Sequence, residues 1–139
     1  MASSTGISEN GLQPLSDWRH VEQSIRKILM TPLGSRVMLR EFGSELWDLV
    51  DQKMTQANIL KIYSAAAVAI HRWEPRFRMR QGTVDVAGFA ATQDGRTVRA
   101  GANGLVSLQI LGTYFPKGHL GDYSIAESAE TRVIYERAA

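Results

Sequence analysis

The spacing of the apolar residues changes at Pro75, and this change constrains the fold more than any other feature of the sequence. Before Pro75 the apolar residues recur at helical spacing, which is typical of helices that bury one face. After Pro75 they alternate with polar residues, as in a strand with one buried face. A proline cannot continue a helix, so the junction is sharp. The order predicts an α+β domain in which three N-terminal helices pack on a small antiparallel sheet.

Three helices are predicted before this junction. The first covers about residues 17–30 and ends at Thr31-Pro32, because a proline disfavours helical geometry at the residue before it. A short second helix follows Ser44, a candidate N-cap, and the third and longest begins after the candidate cap Thr55 and ends at Glu74-Pro75. Their core-facing residues are predicted to be Trp18, Val21, Ile25, Ile28, Leu29, Leu46, Trp47, Leu49, Val50, Ile59, Ile62, Tyr63, Ala66, Ile70 and Trp73.

In the strand that begins after Pro75, the apolar residues switch from odd-numbered to even-numbered positions. Phe77 and Met79 alternate with arginines, whereas Val84 and Val86 fall on the opposite parity. One extended strand therefore requires a bulge near residues 81–82.

Two hairpin turns are predicted further along, at Asp94-Gly95 and Asn103-Gly104. Val106, Leu108 and Ile110 alternate afterwards, as expected of another strand in an antiparallel meander.

The two ends of the chain differ in composition from the middle. Residues 1–15 are rich in serine and glycine, offer little to bury and are expected to form a flexible N-terminal arm. Residues 16–115 are expected to form the folded domain. Residues 116–139 form a C-terminal extension with a candidate terminal strand at Arg132, Val133, Ile134 and Tyr135. The glycines and polar residues before this strand predict that it is loosely held.

Composition excludes several classes of protein. Apolar residues are 44% and charged residues 22%, which fits a globular chain rather than a disordered or fibrous one. The absence of cysteine excludes disulfides and thiolate chemistry and is compatible with folding in a reducing cytoplasm. The weakly polar stretch 64–70 is too short to span a membrane, and residues 1–10 lack the pattern of a signal peptide. A net charge of +2 does not by itself indicate nucleic-acid binding.

No local motif of catalysis, metal binding or cofactor binding is present. His20, His71 and His119 lie in separate segments without the spacing of metal ligands, so no metal and no cofactor are expected. Glu74 with Asp85 is the carboxylate pair one would nominate for glycosidic cleavage. Since the chain has 14 acidic residues, such pairs arise readily by chance, and the sequence favours a protein that is not an enzyme.

Residues 73–80 interleave aromatic and basic side chains at the junction of helix and strand. Such interleaving can bind single-stranded nucleic acid, but an amphipathic strand with one basic face accounts for it more simply, because the chain shows no wider basic field. A third interpretation is that the rigid Pro75 holds the opposite charges of Glu74 and Arg76 at a defined place on the surface, where another protein can dock.

Three ordered blocks of sequence resemble the phage baseplate assembly protein W family. They are residues 28–37 (Ile-Leu-Met-Thr-Pro-Leu-Gly-Ser-Arg-Val), Glu41-Phe42-Gly43-Ser44, and Glu74-Pro75-Arg76. This family comprises the sheath-initiator wedge proteins of contractile tails and is related to a component of type VI secretion baseplates. The resemblance runs from about residue 18 to about residue 115.

The resemblance implies roles for particular residues. Helices packed on an antiparallel sheet form the family's fold, and its Glu-Pro-Arg motif, here Glu74, Pro75 and Arg76, docks onto the helical core bundle of the wedge. Its Thr-x-x-Gly-x-Arg block corresponds to Thr31, Gly34 and Arg36, with Phe42 and Gly43 following. Gly34 and Gly43 would permit tight turns, and Arg36 would join a buried or interface ion pair.

The resemblance also implies a function and a set of partners. The expected function is a structural link between the baseplate wedge and the first sheath ring, one that helps to initiate sheath assembly and contraction. Wedge proteins, the tail sheath protein and copies of the chain around a sixfold axis are the expected partners, with no nucleic acid and no membrane span. The expected location is the virion tail baseplate, assembled in the host cytoplasm.

The first sheath ring builds on family members by strand exchange, for which Arg132, Val133, Ile134 and Tyr135 are the better candidates here. An exposed Arg76 would be needed for assembly and dispensable for folding. Two alternatives remain: a peptidoglycan-cleaving, lysozyme-like enzyme with Glu74 as the acid, and a small nucleic-acid-binding module that uses residues 76–80.

Overall fold

The computed structural model describes residues 5–53, 55–86, 89–91, 97–99 and 105–136. Three α-helices, seven strands and one short 3-10 helix are found in these ranges. The helices are α1 (Asp17–Met30), α2 (Leu46–Val50), α3 (Gln56–Trp73) and the 3-10 helix Gly118–Leu120, and the strands are β1 (Thr5–Ile7), β2 (Pro14–Ser16), β3 (Phe77–Val86), β4 (Phe89–Ala91), β5 (Thr97–Arg99), β6 (Leu105–Tyr114) and β7 (Glu127–Glu136).

A three-stranded antiparallel sheet of order β3-β6-β7 forms the centre of the domain. Phe77 pairs with Tyr114 at one end of β3, and Leu105 pairs with Glu136 where β6 meets β7. The register of β3 shifts between Met79 and Gln81, which confirms the predicted bulge. Helices on an antiparallel sheet confirm the α+β prediction.

The core lies between the helices and one face of this sheet. Its largest fully buried apolar side chains come from α1, α2, α3 and all three central strands: Val21, Ile25, Ile28, Leu29, Leu46, Ile62, Ile70, Phe77, Leu108, Ile110 and Tyr135. The Tyr135 hydroxyl donates a hydrogen bond of 2.8 Å to the Leu29 carbonyl oxygen at the end of α1. Burial raises the pKa of this phenol well above its usual range, so the hydroxyl stays protonated and can donate.

The C-terminal strand is part of the core, and the prediction that it is loosely held is wrong. β7 has ten residues, all paired with β6, and Val133 and Tyr135 are 2% and 0% exposed. Arg132 and Ile134 point to the exposed face. The glycines before the strand do not loosen it, because the alternation of its own side chains matches the buried face of the sheet.

Regular structure begins earlier than predicted. β1 and β2 form an antiparallel hairpin in which Thr5 pairs with Ser16, inside the segment for which the sequence predicted a flexible arm. The Gln23 side chain of α1 accepts a hydrogen bond from the Glu9 backbone and donates one to the Ile7 carbonyl. Glu9 also forms an ion pair with Lys27. Polar contacts with α1 hold the hairpin, which is why apolar spacing did not reveal it.

The predicted helix bounds agree with the structure except at α2. The Thr55 side chain caps α3 by accepting a hydrogen bond from the Asn58 backbone, as predicted. Ser44 does not cap α2, because its hydroxyl donates to the Leu29 carbonyl oxygen at 2.9 Å. The two predicted hairpin turns, Asp94-Gly95 and Asn103-Gly104, lie outside the described residues. Within the described ranges no helix has the length and apolar character needed to cross a membrane.

Candidate docking site

The Glu-Pro-Arg turn joins α3 directly to β3. The Glu74 backbone N–H donates to the Ile70 carbonyl oxygen at 2.8 Å, which closes the last turn of the helix. Pro75 follows at the surface and cannot extend the helix. Beyond Arg76 the chain enters the sheet, and the Phe115 backbone N–H donates to the Arg76 carbonyl oxygen at 2.7 Å. Glu74 and Arg76 are therefore fixed by a helix on one side and by a sheet on the other.

Within this turn Glu74 and Arg76 form a buried ion pair with each other. Arg76 Nε lies 2.7 Å from Glu74 Oε1, and Arg76 Nη2 lies 3.0 Å from Glu74 Oε2. The pairing is thus bidentate, which is the strongest geometry for a guanidinium and a carboxylate. Glu74 is 2% exposed and Arg76 is 8% exposed. The expectation of two exposed charges is wrong, because the turn folds the two side chains onto one another beneath the surface.

His20 of α1 completes this site from a position 56 residues away in the sequence. Its Nδ1 lies 3.1 Å from Arg76 Nη1. Since arginine can only donate, Nδ1 is the acceptor and the imidazole carries its proton on Nε2. Gly6 of β1 lies against the ring, where a side chain would meet Nε2 at 2.5 Å. The N-terminal hairpin therefore covers the histidine, and no local sequence signal could have linked these residues.

Lowering the pH is expected to destabilise the chain through His20. Desolvation lowers the pKa of His20 below its ordinary 6.5, the positive charge of Arg76 and the nearby His119 lower it further, and Glu74 opposes them. Between the folded pKa and 6.5 the unfolded state binds more protons, so stability falls as the pH drops through this window. Urea unfolding at a series of pH values should show this loss, and His20→Gln should lack it. An NMR titration midpoint for His20 at or above 6.5 would contradict this prediction.

The second group of candidate residues lies in the connection between α1 and α2. The Ser44 backbone N–H donates to the Thr31 carbonyl oxygen at 3.0 Å, and Pro32 and Ser44 form a parallel bridge. Gly43 has a φ of +125° and is buried where these two segments cross. Gly34 has a φ of +77° in a turn closed by the hydrogen bond from the Ser35 N–H to the Pro32 carbonyl oxygen at 3.3 Å. Gly34 therefore lies in a tight turn, whereas Gly43 lies in a bend where two segments cross.

Arg36 and Phe42 pack together on the surface of this connection. The Arg36 guanidinium lies 4.1 Å from the centre of the Phe42 ring, and that ring contacts Trp73 edge-on at 5.1 Å. Arg36 is exposed and makes this cation–π contact instead of a buried ion pair. The interface ion pair that the resemblance implies stays a prediction. This stack connects the 31–45 segment to the end of α3, next to the Glu-Pro-Arg turn.

Arg76 and the two arginines of β3, Arg78 and Arg80, do not form one continuous basic face. Arg76 is buried with Glu74, and Arg78 lies over the rings of Phe115 and Tyr123 at 5.6 and 4.9 Å. Arg80 is exposed beside the bulge. This arrangement weakens the nucleic-acid interpretation, because two of the three guanidinium groups are engaged within the domain.

A family of known proteins shares the sequence of this chain. Residues 16–104 match the family model of the baseplate wedge protein gp25, and the chain belongs to this family. Baseplate protein W of Escherichia phage P2 is 40% identical over 91 residues, which cover 66% of this chain and 75% of that protein. The chain is therefore a structural wedge protein of a contractile-tail baseplate.

Solved structures share this fold. A chain of the postcontracted pyocin R2 baseplate is 31% identical, with a TM-score of 0.58 over 80% of this chain and 98% of that chain. Two more distant structures show the fold alone. A candidate tail lysozyme from Geobacter sulfurreducens is 20% identical, with a TM-score of 0.63 over 87% of this chain and 91% of that one. A chain of the sixfold-symmetrised anti-feeding prophage baseplate is 18% identical, with a TM-score of 0.52 over 97% of this chain and 82% of that chain.

Proposed function

We propose that this chain links the baseplate wedge to the first ring of the tail sheath and helps to initiate sheath assembly and contraction. The observation that carries the sheath contact is the outer edge of β7. In the described part of the chain β7 pairs with β6 alone, so alternate backbone N–H and C=O groups face outward along ten residues. An extended strand of the sheath protein can pair with this edge by β-augmentation.

The other edge of the central sheet is less suited to accept a strand. The Tyr63 hydroxyl of α3 accepts a hydrogen bond from the Val84 backbone N–H at 3.2 Å. The same ring lies close over Gly82, where a side chain would meet it at about 3 Å. Because Tyr63 occupies this part of β3, we place the sheath contact at β7, including Arg132, Val133, Ile134 and Tyr135. A sixfold arrangement of copies fits the symmetry of the anti-feeding prophage baseplate.

Hydrogen exchange tests the sheath contact. In the isolated chain, the β7 amides that pair with β6 are expected to exchange slowly and the alternate, outward amides quickly. Adding sheath protein should protect these outward amides, since a new strand supplies acceptors for them. Protection that appears on β3, or nowhere in the sheet, would contradict the proposal.

We further propose that the wedge docks at the Glu74-Pro75-Arg76 turn. Pro75 is the exposed member of the turn, and the ion pair beneath it fixes its position. A wedge protein would then recognise the shape of a rigid surface turn rather than two free charges. The 31–45 connection, with Thr31, Gly34, Arg36, Phe42 and Gly43, adjoins this turn through the contact between Phe42 and Trp73.

We also propose that the chain is not an enzyme. The Glu74 carboxylate already accepts two hydrogen bonds from the Arg76 side chain in a buried turn, so it is poorly placed to protonate a sugar oxygen. The purified chain is expected to release no dye from labelled peptidoglycan under conditions in which a lysozyme does. Dye release that is lost in Glu74→Gln, with the fold intact, would overturn this expectation.

A further inference from the structure

A groove of about 570 Å³ runs between α3 and the segment that connects α1 to α2. Its α3 wall includes Leu60, Ser64, Val68 and Arg72, which recur every four residues and form one ridge along the helix. The first of these residues is twelve positions from the last, which at a rise of about 1.5 Å per residue makes the groove about 18 Å long. Leu33, Glu41, Glu45 and Leu49 contribute to the opposite wall.

Three apolar side chains on the rim of this groove are exposed to solvent. Leu60 is 63% exposed, Val68 is 67% exposed and Leu33 on the facing segment is 44% exposed. None of these three belongs to the core cluster of the domain. Apolar side chains on both sides of one concave surface are typical of a binding site for another protein.

We propose that the groove binds one amphipathic helix of another baseplate protein. The floor contains the small residues Ala65 and Ala69, which allow a helix backbone to approach α3 closely. The groove runs parallel to the α3 axis and offers no strand edge, so a helix fits it better than an extended segment. This inference rests on the proposed function, because the baseplate supplies the helix.

The charges around the groove specify the partner further. Lys61 and Arg72 lie on the α3 wall, and Glu41 and Glu45 lie on the opposite wall. Arg72 Nη2 and Glu41 Oε2 are 2.6 Å apart and bridge the two walls near the Trp73 end of the groove. Lys61 and Glu45 remain to meet the partner from the two sides. The fitting helix therefore carries an apolar stripe with an acidic edge towards α3 and a basic edge towards Glu45.

Photo-crosslinking in assembled particles tests the groove and identifies its occupant. Val68 is replaced by p-benzoylphenylalanine, and Leu12, which is 87% exposed and does not line the groove, receives the same replacement as a control. After irradiation, position 68 should yield a crosslinked peptide from a different protein, helical and with the charge pattern described. A crosslink only to a second copy, to this chain's own residues or to an extended segment would overturn the proposal.

A second measurement separates failure of the groove from failure of the proposed function. Because the chain has no cysteine, Val68→Cys and Leu12→Cys each carry one thiol. In particles that contain the chain, maleimide labelling of Val68→Cys should be lost relative to the free chain, whereas Leu12→Cys should retain its labelling. Equal labelling of Val68→Cys in both forms would overturn the groove proposal alone. Absence of both variants and of the wild-type chain from the particles would overturn the proposed function.

Discussion

Replacing Arg76 by alanine is expected to destabilise the isolated chain by about 3–5 kcal/mol, because it leaves the buried Glu74 carboxylate without its partner. Glu74 is 2% exposed and cannot recover its hydration without opening the turn. A domain of this size is usually stable by about 5–15 kcal/mol, so the loss consumes much of the total. Urea unfolding monitored by circular dichroism measures it directly.

Arg80→Ala is the matched control, since it removes the same kind of side chain from an exposed position four residues further along the chain, within β3. It should change stability by about 0.5 kcal/mol or less. The double variant Glu74→Ala with Arg76→Ala should be more stable than Arg76→Ala alone, because no charge is then stranded. Equal stability of Arg76→Ala and Arg80→Ala would show that the ion pair does not support the fold.

The same residue provides a test of wedge docking. Arg76→Lys keeps the positive charge but cannot pair bidentately, so it should hold the turn less firmly. At a temperature at which this variant remains folded, we expect fewer copies in assembled baseplates, measured by quantitative mass spectrometry of particles. Normal incorporation would indicate that the wedge contacts a different surface.

Gly43→Ala is expected to cost about 2–5 kcal/mol, from a strained backbone together with a steric overlap. Its φ of +125° is one that L side chains rarely adopt, and a Cβ there would overlap the Thr31 carbonyl oxygen. That oxygen accepts the hydrogen bond from Ser44 that closes the connection onto the end of α1. The overlap therefore cannot be relieved without moving backbone.

Gly34→Ala separates these two causes. Gly34 also has a positive φ, +77°, but a Cβ there would meet nothing within 4 Å. The substitution should cost only the strain of the left-handed conformation, about 1–2 kcal/mol. If thermal unfolding shows the same loss for both variants, the close approach of Gly43 to Thr31 is not what requires a glycine there.

Local patterns were sufficient to predict most elements of the fold. The bounds of α1 and α3 follow from helical spacing and from Pro32, Thr55 and Pro75, and the bulge in β3 follows from a change of parity. The three motif blocks were likewise sufficient to predict the family. The wedge role in a baseplate was therefore predictable, whereas the assignment of individual contacts was not.

The sequence by itself determined where the chain is helical and where it is extended, because these choices depend on neighbours within a few residues. Only the tertiary structure decided that Arg76 pairs with Glu74 beneath the surface, that His20 joins them, and that Tyr135 locks β7 to α1. Residues 56 and 106 positions apart form the last two of these contacts. Burial and hydrogen bonding depend on which surfaces meet, and the spacing of residues along the chain does not predict which distant surfaces come into contact.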